Sequence, residues 1–191
     1  MKPVPAIHMK KLPANLFFDA QDATPLTLQS PASSVFIDFD SRQPMVVEQG
    51  VSVEDATYLM RTTHARLKLV VDSVNRFCGL ISLRDISSIK VLATASAMGV
   101  ARADLNVRDI MTPAYRLQGI NRRVLDKSTI ADLVEALEFE GQRYLMVLDD
   151  EGALCGMLDA DEIALRTGHD LDIQPLAGDF NEVFSALRVH A

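Results

Sequence analysis

Several residue types and motifs that identify enzymes are scarce or missing in this sequence. It contains no tryptophan, two cysteines and four histidines, and the histidines are not spaced as metal ligands are. It also lacks a Walker loop, a dinucleotide-binding fingerprint and a nucleophile elbow. A catalytic site assembled from distant residues would leave no such motif. The simpler prediction is a protein that is not an enzyme, with no catalytic residues, no metal ligands and no cofactor.

Excess positive charge and long apolar runs are lacking as well. The 19 Lys and Arg residues are outnumbered by 26 Asp and Glu, which gives a formal net charge of −7 and disfavours a nucleic-acid partner. No stretch approaches the roughly 18 apolar residues of a membrane span. The N-terminus carries Pro3, Pro5 and Pro13 and does not fit a signal peptide. We therefore expect a cytoplasmic protein with no nucleic-acid partner and no membrane insertion.

What the chain does contain is an internal repeat. Residues 53–86 align without a gap on residues 130–163, at a constant offset of 77. The apolar positions match throughout, and the two cysteines occupy equivalent apolar positions, which favours two reduced thiols. The identical pairs are Asp55/Asp132, Arg66/Arg143, Val70/Val147, Asp72/Asp149, Cys78/Cys155, Gly79/Gly156 and Ile86/Ile163.

Each copy predicts a helix, a strand, a turn, a strand and a second helix. Ser52 and Thr129 precede the first helices as N-caps, each with an aspartate three residues later. The segments "LKLVVD" and "FCGLIS", and their equivalents "YLMVLD" and "LCGMLD", predict antiparallel hairpins. Short strands in "PMVVEQ" and "AYRLQG" precede the two helices. "SLRDISSIKVLATASAMG" predicts one longer helix that ends at Gly99.

The repeat divides the chain into four parts. Residues 1–34 form a proline-punctuated N-terminal arm or lid, residues 35–105 the first unit with its linking helix, and residues 106–168 the second unit. Residues 169–191 form a C-terminal tail. Within the tail, the spacing of Phe180, Val183, Phe184 and Leu187 predicts a short amphipathic helix.

Three motifs carry a resemblance to a known family. They are "VRDIMTP" at residues 107–113, the apolar strands ending in "LVVD" and "MVLD", and the Gly-x-x-Ser-x-x-Asp signature in "GLISLRDI". With them the chain resembles a tandem CBS-domain pair, or Bateman module, of a stand-alone bacterial type, over roughly residues 35–168. The sequence departs from the family pattern at Leu69 and Met146, where proline is frequent, and at Asp159, where serine or threonine is expected. "FIDFD" at residues 36–40 replaces the usual opening of the first unit.

The resemblance implies a fold and a function. The fold is of the α/β (α+β) class, with two β-α-β-β-α repeats related by a pseudo-twofold axis and with small sheets that pack face to face. Two clefts lie between the units of such modules, which often bind adenosine-containing ligands, commonly form homodimers and regulate a partner protein. We expect a homodimer with a protein target that the sequence does not identify, and with parallel or antiparallel pairing left open.

The resemblance assigns ligand contacts within "GLISLRDI". Ser82 would contact phosphate at the start of a helix, where backbone N–H groups and the helix dipole favour an anion. Asp85 would accept hydrogen bonds from ribose hydroxyls. Gly79 removes a side chain where a planar base could approach the strand. The structural alternative is that Ser82 is an N-cap and that Asp85 stabilises the first helical turn.

Four further residues complete the candidate ligand site. Arg66, Arg84 and Arg143 could pair with phosphate, although exposed salt bridges or surface positions explain them as well. Thr112 could touch a ligand in the second cleft, or simply begin a turn before Pro113.

The equivalent segment of the second unit is acidic. Asp159 predicts an N-cap and Glu162 the completion of a capping box, while Asp159, Asp161 and Glu162 together would repel phosphate. We therefore predict that a nucleotide prefers the cleft around Ser82 and Asp85.

These observations favour a regulatory sensor that binds ATP, ADP, AMP or S-adenosylmethionine between its two units and signals to a partner protein. One alternative is a ligand-free interaction or dimerisation module. The other is a magnesium-responsive sensor that uses the acidic residues 159–162.

Overall fold

Two four-stranded sheets facing each other, with helices on their outer sides, make up residues 25–87 and 89–174, the part of the chain described by the computed structural model. The first sheet has the order β2-β3-β4-β5 and the second the order β1-β8-β7-β6. The strands are β1 Ile37–Asp38, β2 Val46–Glu48, β3 Leu67–Val71, β4 Phe77–Ser82, β5 Thr112–Pro113, β6 Gln118–Asn121, β7 Tyr144–Leu148 and β8 Leu154–Asp159. This arrangement confirms the predicted fold class.

The two sheets have the same pairing. β2 runs parallel to β3 and β6 parallel to β7, while the hairpins β3–β4 and β7–β8 are antiparallel, as predicted. The helices are α1 Val53–Thr62, α2 Leu83–Ser87, α3 Ile89–Met98, α4 Val107–Ile110, α5 Arg122–Leu125, α6 Ile130–Phe139 and α7 Ala160–Thr167.

The helices α1 and α6 begin at the predicted caps. The Ser52 hydroxyl accepts a hydrogen bond from the backbone N–H of Asp55 at 3.0 Å. Thr129 and Asp132 form a complete capping box. α6 gives way to Gly141, which has φ +60° and supplies the left-handed residue that commonly ends a helix.

The predicted linking helix is described on both sides of Ser88, as α2 and α3. Ser88 lies outside the described residues. α3 ends as predicted, with Gly99 in the left-handed region at φ +66°.

The segments that open the two units are exchanged between the sheets. β1, from "FIDFD", pairs antiparallel with β8 of the second unit, and β5, from "DIMTP", pairs antiparallel with β4 of the first. The backbone just before β1 also pairs with the second unit. The N–H groups of Ile130 and Ala131 at the start of α6 donate to the carbonyls of Ser30 and Leu28, which satisfies donors that a helix start leaves unpaired.

Three apolar clusters hold the layers together. One lies between α1, α3 and the first sheet, and another between α6, α7 and the second sheet. The third joins the two sheets through Leu69, Leu80, Met146 and Met157. Because side chains alternate along a strand, each inner strand contributes both to the inter-sheet cluster and to the cluster beneath its helices. This explains why its sequence is almost continuously apolar.

Parts of both predicted end segments belong to the second cluster. Ala32 is buried in it, and Leu28, Leu171 and Ile173 pack against it. The tail helix predicted around Phe180 lies outside the described residues, as does the arm before residue 25.

Candidate functional site

Ser82 and Asp85 form a capping box at the junction between β4 and α2. The Asp85 Oδ2 atom accepts hydrogen bonds from the Ser82 N–H at 2.9 Å and from the Ser82 hydroxyl at 2.6 Å. The Ser82 hydroxyl oxygen in turn accepts from the Asp85 N–H at 3.1 Å. Ser82 is buried, and the Asp85 Oδ1 atom lies 4.0 Å from Lys90 Nζ. The pair therefore has the structural role that the sequence left as one of two alternatives.

The equivalent junction of the second unit is capped differently. Asp159 Oδ1 accepts from the backbone N–H of Asp161 at 2.9 Å, whereas the sequence predicted a capping box completed by Glu162. The Glu162 side chain instead lines a cavity beside β1. At position 159 a carboxylate thus takes the place of the Ser82 hydroxyl. Glu162, unlike its equivalent Asp85, does not take part in the cap and lines a cavity instead.

The two junctions meet at the pseudo-twofold axis through an ion pair. Arg84 and Asp161 are equivalent residues, 77 positions apart, and Arg84 Nη2 lies 3.5 Å from Asp161 Oδ2. Arg143 Nη1 lies 3.2 Å from the other oxygen of the same carboxylate. Asp161 is therefore held by one guanidinium from each unit, which means that the acidic segment of the second unit is partly neutralised.

Tyr144 of the second unit reaches the Ser82–Asp85 pair. Burial raises the pKa of Tyr144 to about 12, with the Asp159 and Asp85 carboxylates adding to the shift and a hydrogen bond to the Ser82 side chain opposing it. Burial also raises the pKa of Asp159, while Arg66 lowers it electrostatically. Side chains of both units thus surround one small, charged region at the starts of α2 and α7.

The surroundings of Gly79 indicate a packing role, whereas the sequence analysis predicted that this glycine admits a planar base. A Cβ atom added at Gly79 would lie 2.2 Å from the carbonyl oxygen of Thr112 and 2.9 Å from the Cα of Pro113. The space is therefore filled by the exchanged strand β5. Gly156 has the equivalent role, since its Cβ would lie 2.3 Å from the ring of Phe36.

The remaining candidate residues lie on the same edge. The Arg66 carbonyl accepts from the Leu83 N–H at 2.9 Å, and the Arg143 carbonyl accepts from the Ala160 N–H at 2.9 Å, so both arginines flank a helix start. Thr112 pairs with Leu80, two residues before Ser82. Five of the seven candidate residues therefore lie at or beside the starts of α2 and α7, whereas Gly79 and Thr112 lie further along β4 and β5 as packing positions.

A cavity of about 160 Å³ lies at the edge of the second sheet, between β1 and α7. Residues 35–38 form one wall, and the side chains of Arg42, Glu162 and Arg166 contribute charge. Arg122 holds this wall in place, with its guanidinium 4.2 Å from the centre of the Phe36 ring and 3.8 Å from Asp38. None of the seven candidate ligand residues lines this cavity, which therefore differs from the site that the sequence analysis predicted around Ser82 and Asp85.

Several of these residues were missed from the sequence. The offset of 77 places residue 84 opposite residue 161, so the complementary charges of Arg84 and Asp161 were a signal of an axial contact. Tyr144 replaces Leu67 at the equivalent position, and a tyrosine in place of a leucine at an otherwise apolar site was a second signal. Arg42 and Arg166 lie outside the aligned repeat, so the sequence carried no comparable signal for them.

Neither a membrane span nor a metal cluster is found in the part of the chain that the structure describes. None of its helices is long and apolar enough to cross a membrane. Within residues 25–87 and 89–174, no group of three His, Cys, Asp or Glu side chains could hold a metal ion. Both cysteines are free thiols.

Comparison with known proteins places the fold. Residues 36–91 match the family model described as the CBS domain, and no curated protein matches the chain. The structure is similar to that of an uncharacterized conserved protein from Pyrococcus horikoshii, with 16% identity, a TM-score of 0.54, and coverage of 78% of this chain and 100% of that one. A hemolysin-like CBS protein of Oenococcus oeni gives 16% identity, a TM-score of 0.53, and coverage of 74% and 93%.

A third similar structure is the CBS domain of a bacterial CNNM/CorC family Mg²⁺ transporter, with 16% identity, a TM-score of 0.52, and coverage of 76% of this chain and 80% of that one. At these identities the likeness concerns the fold. The family match covers the first unit, and the second unit repeats its sequence pattern and its sheet topology. Residues 36–91 therefore match the CBS domain, and the two units together have the fold of a tandem CBS pair.

Proposed function

We propose that this chain is a regulatory module that binds an adenine nucleotide or another adenosyl compound between its two units, residues 35–105 and 106–168. Binding changes how the units pack, and the change passes to a partner protein without covalent chemistry. The candidate ligands are ATP, ADP, AMP and S-adenosylmethionine.

The observation that carries this proposal is the convergence of both units at the start of α2. Ser82 and Asp85 of the first unit lie beside Tyr144 of the second, and Arg84 is paired with Asp161 across the axis. A ligand at this place touches both units, so its binding free energy depends on their relative arrangement. Such differential binding is what a sensor requires.

Capping by Asp85 is compatible with ligand binding. An ionised carboxylate has about four acceptor positions on its two oxygens, and both bonds from Ser82 go to Oδ2. A ribose hydroxyl that donates to Asp85 would share the carboxylate with Ser82 and with Lys90, whose Nζ lies 4.0 Å from Oδ1. Arg66 and Arg84 beside the junction supply the positive charge that a phosphate group needs.

The test is a calorimetric titration of the four compounds against the wild type and two aspartate variants. Asp85→Ala removes both the cap and the proposed ribose acceptor. Asp132→Ala removes the same kind of cap from α6, where Asp132 Oδ2 accepts from the Thr129 N–H and hydroxyl at 2.8 Å each, and it leaves the cleft untouched. We expect at least one compound to bind the wild type and Asp132→Ala, and none to bind Asp85→Ala.

Two results would overturn the proposal. If none of the four compounds gives a binding signal with the wild type, the proposed ligand class is wrong. If the wild type and Asp85→Ala bind equally well, the ligand does not bind in this cleft. The cavity lined by Arg42 and Glu162 then becomes the candidate site.

A ligand-free interaction or dimerisation module is the second candidate. It is favoured by large apolar side chains on the outer helices, since Ile89 is 84% exposed, Phe139 80% and Leu165 73%. Exposed apolar side chains of this size mark docking surfaces when they are grouped. On this view the caps have no further role, and partner binding survives Asp85→Ala.

A further inference from the structure

The most distinctive charge arrangement in the described residues is the shared carboxylate at the axis. Asp161 at the start of α7 accepts from Arg84 of the first unit and Arg143 of the second, with N–O distances of 3.5 and 3.2 Å. Two guanidinium groups from different units are thus directed at one small anionic group. Arginine recognises carboxylate and phosphate with the same planar donor geometry.

Both contacts are of a kind that a ligand can displace. The side chains remain partly open to solvent, with exposed fractions of 57% for Arg84 and 39% for both Arg143 and Asp161. Ion pairs exposed to this degree contribute little to stability, because water screens them and long side chains lose freedom on pairing. The Asp161 carboxylate can therefore leave the two arginines without unfolding the site.

The surrounding charges make this displacement necessary for an anionic ligand. Asp159 and Glu162 lie with Asp161 at the start of α7, Asp85 lies at the start of α2, and the Arg66 guanidinium is close enough to lower the Asp159 pKa. While Asp161 stays paired, a phosphate arriving here meets carboxylates and two arginines that are already engaged. Once Asp161 moves away, the two guanidinium groups can pair with the phosphate.

We propose that Asp161 is a built-in competitor that occupies an anion subsite formed by Arg84 and Arg143, and that the phosphate group of a bound ligand displaces it. This inference rests on the proposed function for the identity of the ligand. Displacement breaks the Arg84–Asp161 contact between the units. A phosphorylated adenosyl compound therefore breaks this contact, whereas an unphosphorylated one leaves it intact. Asp161 thereby sets both the affinity for anionic ligands and the signal that they produce.

The test compares adenosine, AMP and ADP by calorimetry on the wild type, Asp161→Asn and a matched control. The control is Asp150→Asn, which neutralises another partly exposed aspartate, the one paired with Arg123. We expect Asp161→Asn to bind AMP and ADP about threefold to tenfold more tightly, the range set by releasing exposed ion pairs. Adenosine should bind equally to all three proteins, and Asp150→Asn should match the wild type throughout.

A double variant tests the subsite directly. Adding Arg143→Ala to Asp161→Asn should remove the gain for AMP and ADP and leave adenosine binding unchanged. Asp161→Ser provides a second neutral side chain at this position and should show the same gain for AMP and ADP.

The outcomes separate this inference from the proposed function. If AMP binds the wild type and Asp161→Asn equally well, the competitor role is overturned while the ligand assignment stands. If no adenosyl compound binds any variant, the ligand assignment falls, and inorganic pyrophosphate becomes the probe of the subsite. A thermal shift with pyrophosphate that is no larger in Asp161→Asn than in the wild type then overturns the subsite as well.

Discussion

Gly79 and Gly156 are identical residues at equivalent positions, yet each accommodates a different neighbour. The backbone of Thr112 and Pro113 fills the space at Gly79, and the Phe36 ring and the Ile37 carbonyl fill the space at Gly156. The repeat identified both glycines as special positions. It did not identify the neighbours, because these come from the exchanged strands, which lie far away in the sequence.

The close contact at Gly79 leads to a prediction about packing. Gly79→Ala would place a Cβ atom 2.2 Å from a backbone oxygen, and β5 would have to move away from β4. We expect the free energy of unfolding to fall by about 3 kcal/mol, as overpacked interiors do. Urea denaturation measures the change, and Gly50→Ala, where nothing lies within 4 Å of the added Cβ, should stay within about 0.5 kcal/mol of the wild type. Equal behaviour of the two variants would contradict the account.

Asp159 gives a prediction about pH. Burial raises its pKa above the ordinary value of 3.8, so between the ordinary and the raised pKa the folded protein binds more of this proton than the unfolded chain does. The contribution of Asp159 to stability therefore falls as the pH rises from the ordinary pKa through the folded one. The Asp159→Asn variant keeps the cap acceptor without the buried charge, and we expect it to be more stable than the wild type at neutral pH.

Urea denaturation of both proteins between about pH 4 and pH 7 measures this gain. The stability difference between variant and wild type should grow with pH, and a constant or shrinking difference would show that the charge is not penalised. Repeating the series with added magnesium tests the metal-responsive alternative. That alternative needs a magnesium-dependent stabilisation of the wild type that Asp159→Asn loses.

At the scale of elements, features set by neighbouring residues were predictable and the others were not. Ser52 and Thr129 define the starts of α1 and α6, because a cap is a local hydrogen bond between residues three apart. The hairpins followed from continuous apolar runs on either side of short turns. The capping box predicted with Glu162 did not form, because the Asp159 carboxylate accepts from the N–H of Asp161 instead.

The Thr129 cap predicts a measurable loss of stability. Thr129→Ala removes the acceptor for the Asp132 N–H, which lies 3.3 Å away, and the hydroxyl that donates to the Asp132 carboxylate. We expect about 1 kcal/mol less unfolding free energy, as for other N-caps. Thermal or urea unfolding measures it, with the exposed turn residue Ser73 as a control in Ser73→Ala. A loss no larger than that of the control would mean that the backbone of Leu28 and Ser30 alone secures the start of α6.

At the scale of the whole molecule, the sequence repeat predicted two similar units but not how they are joined. The exchange of β1 and β5 depends on pairing between residues about 33 and 120 positions apart, and the sequence carries no local sign of it. The Ser82–Asp85 site was found through its motif. The contact of Arg84 with Asp161 required the position of the axis, which only the assembled fold gives.

The outer helices predict self-association. Ile89 and Leu92 lie three residues apart on α3 and are 84% and 58% exposed, which places two large apolar side chains on one helix face. If this face joins the expected homodimer, Ile89→Asp should shift the protein towards monomer in sedimentation velocity. Val74→Asp, in the β3–β4 turn and 66% exposed in the wild type, should not. A wild type that remains monomeric at all concentrations would contradict the homodimer.

The central claim is that a ligand bridges the two units at the starts of α2 and α7. Hydrogen-exchange mass spectrometry of the whole chain, with and without saturating ATP, ADP, AMP or S-adenosylmethionine, tests it most directly. We predict that at least one compound slows amide exchange both in residues 79–87 of the first unit and in residues 143–162 of the second. Unchanged exchange in both segments with all four compounds, or protection confined to one unit, would contradict the claim.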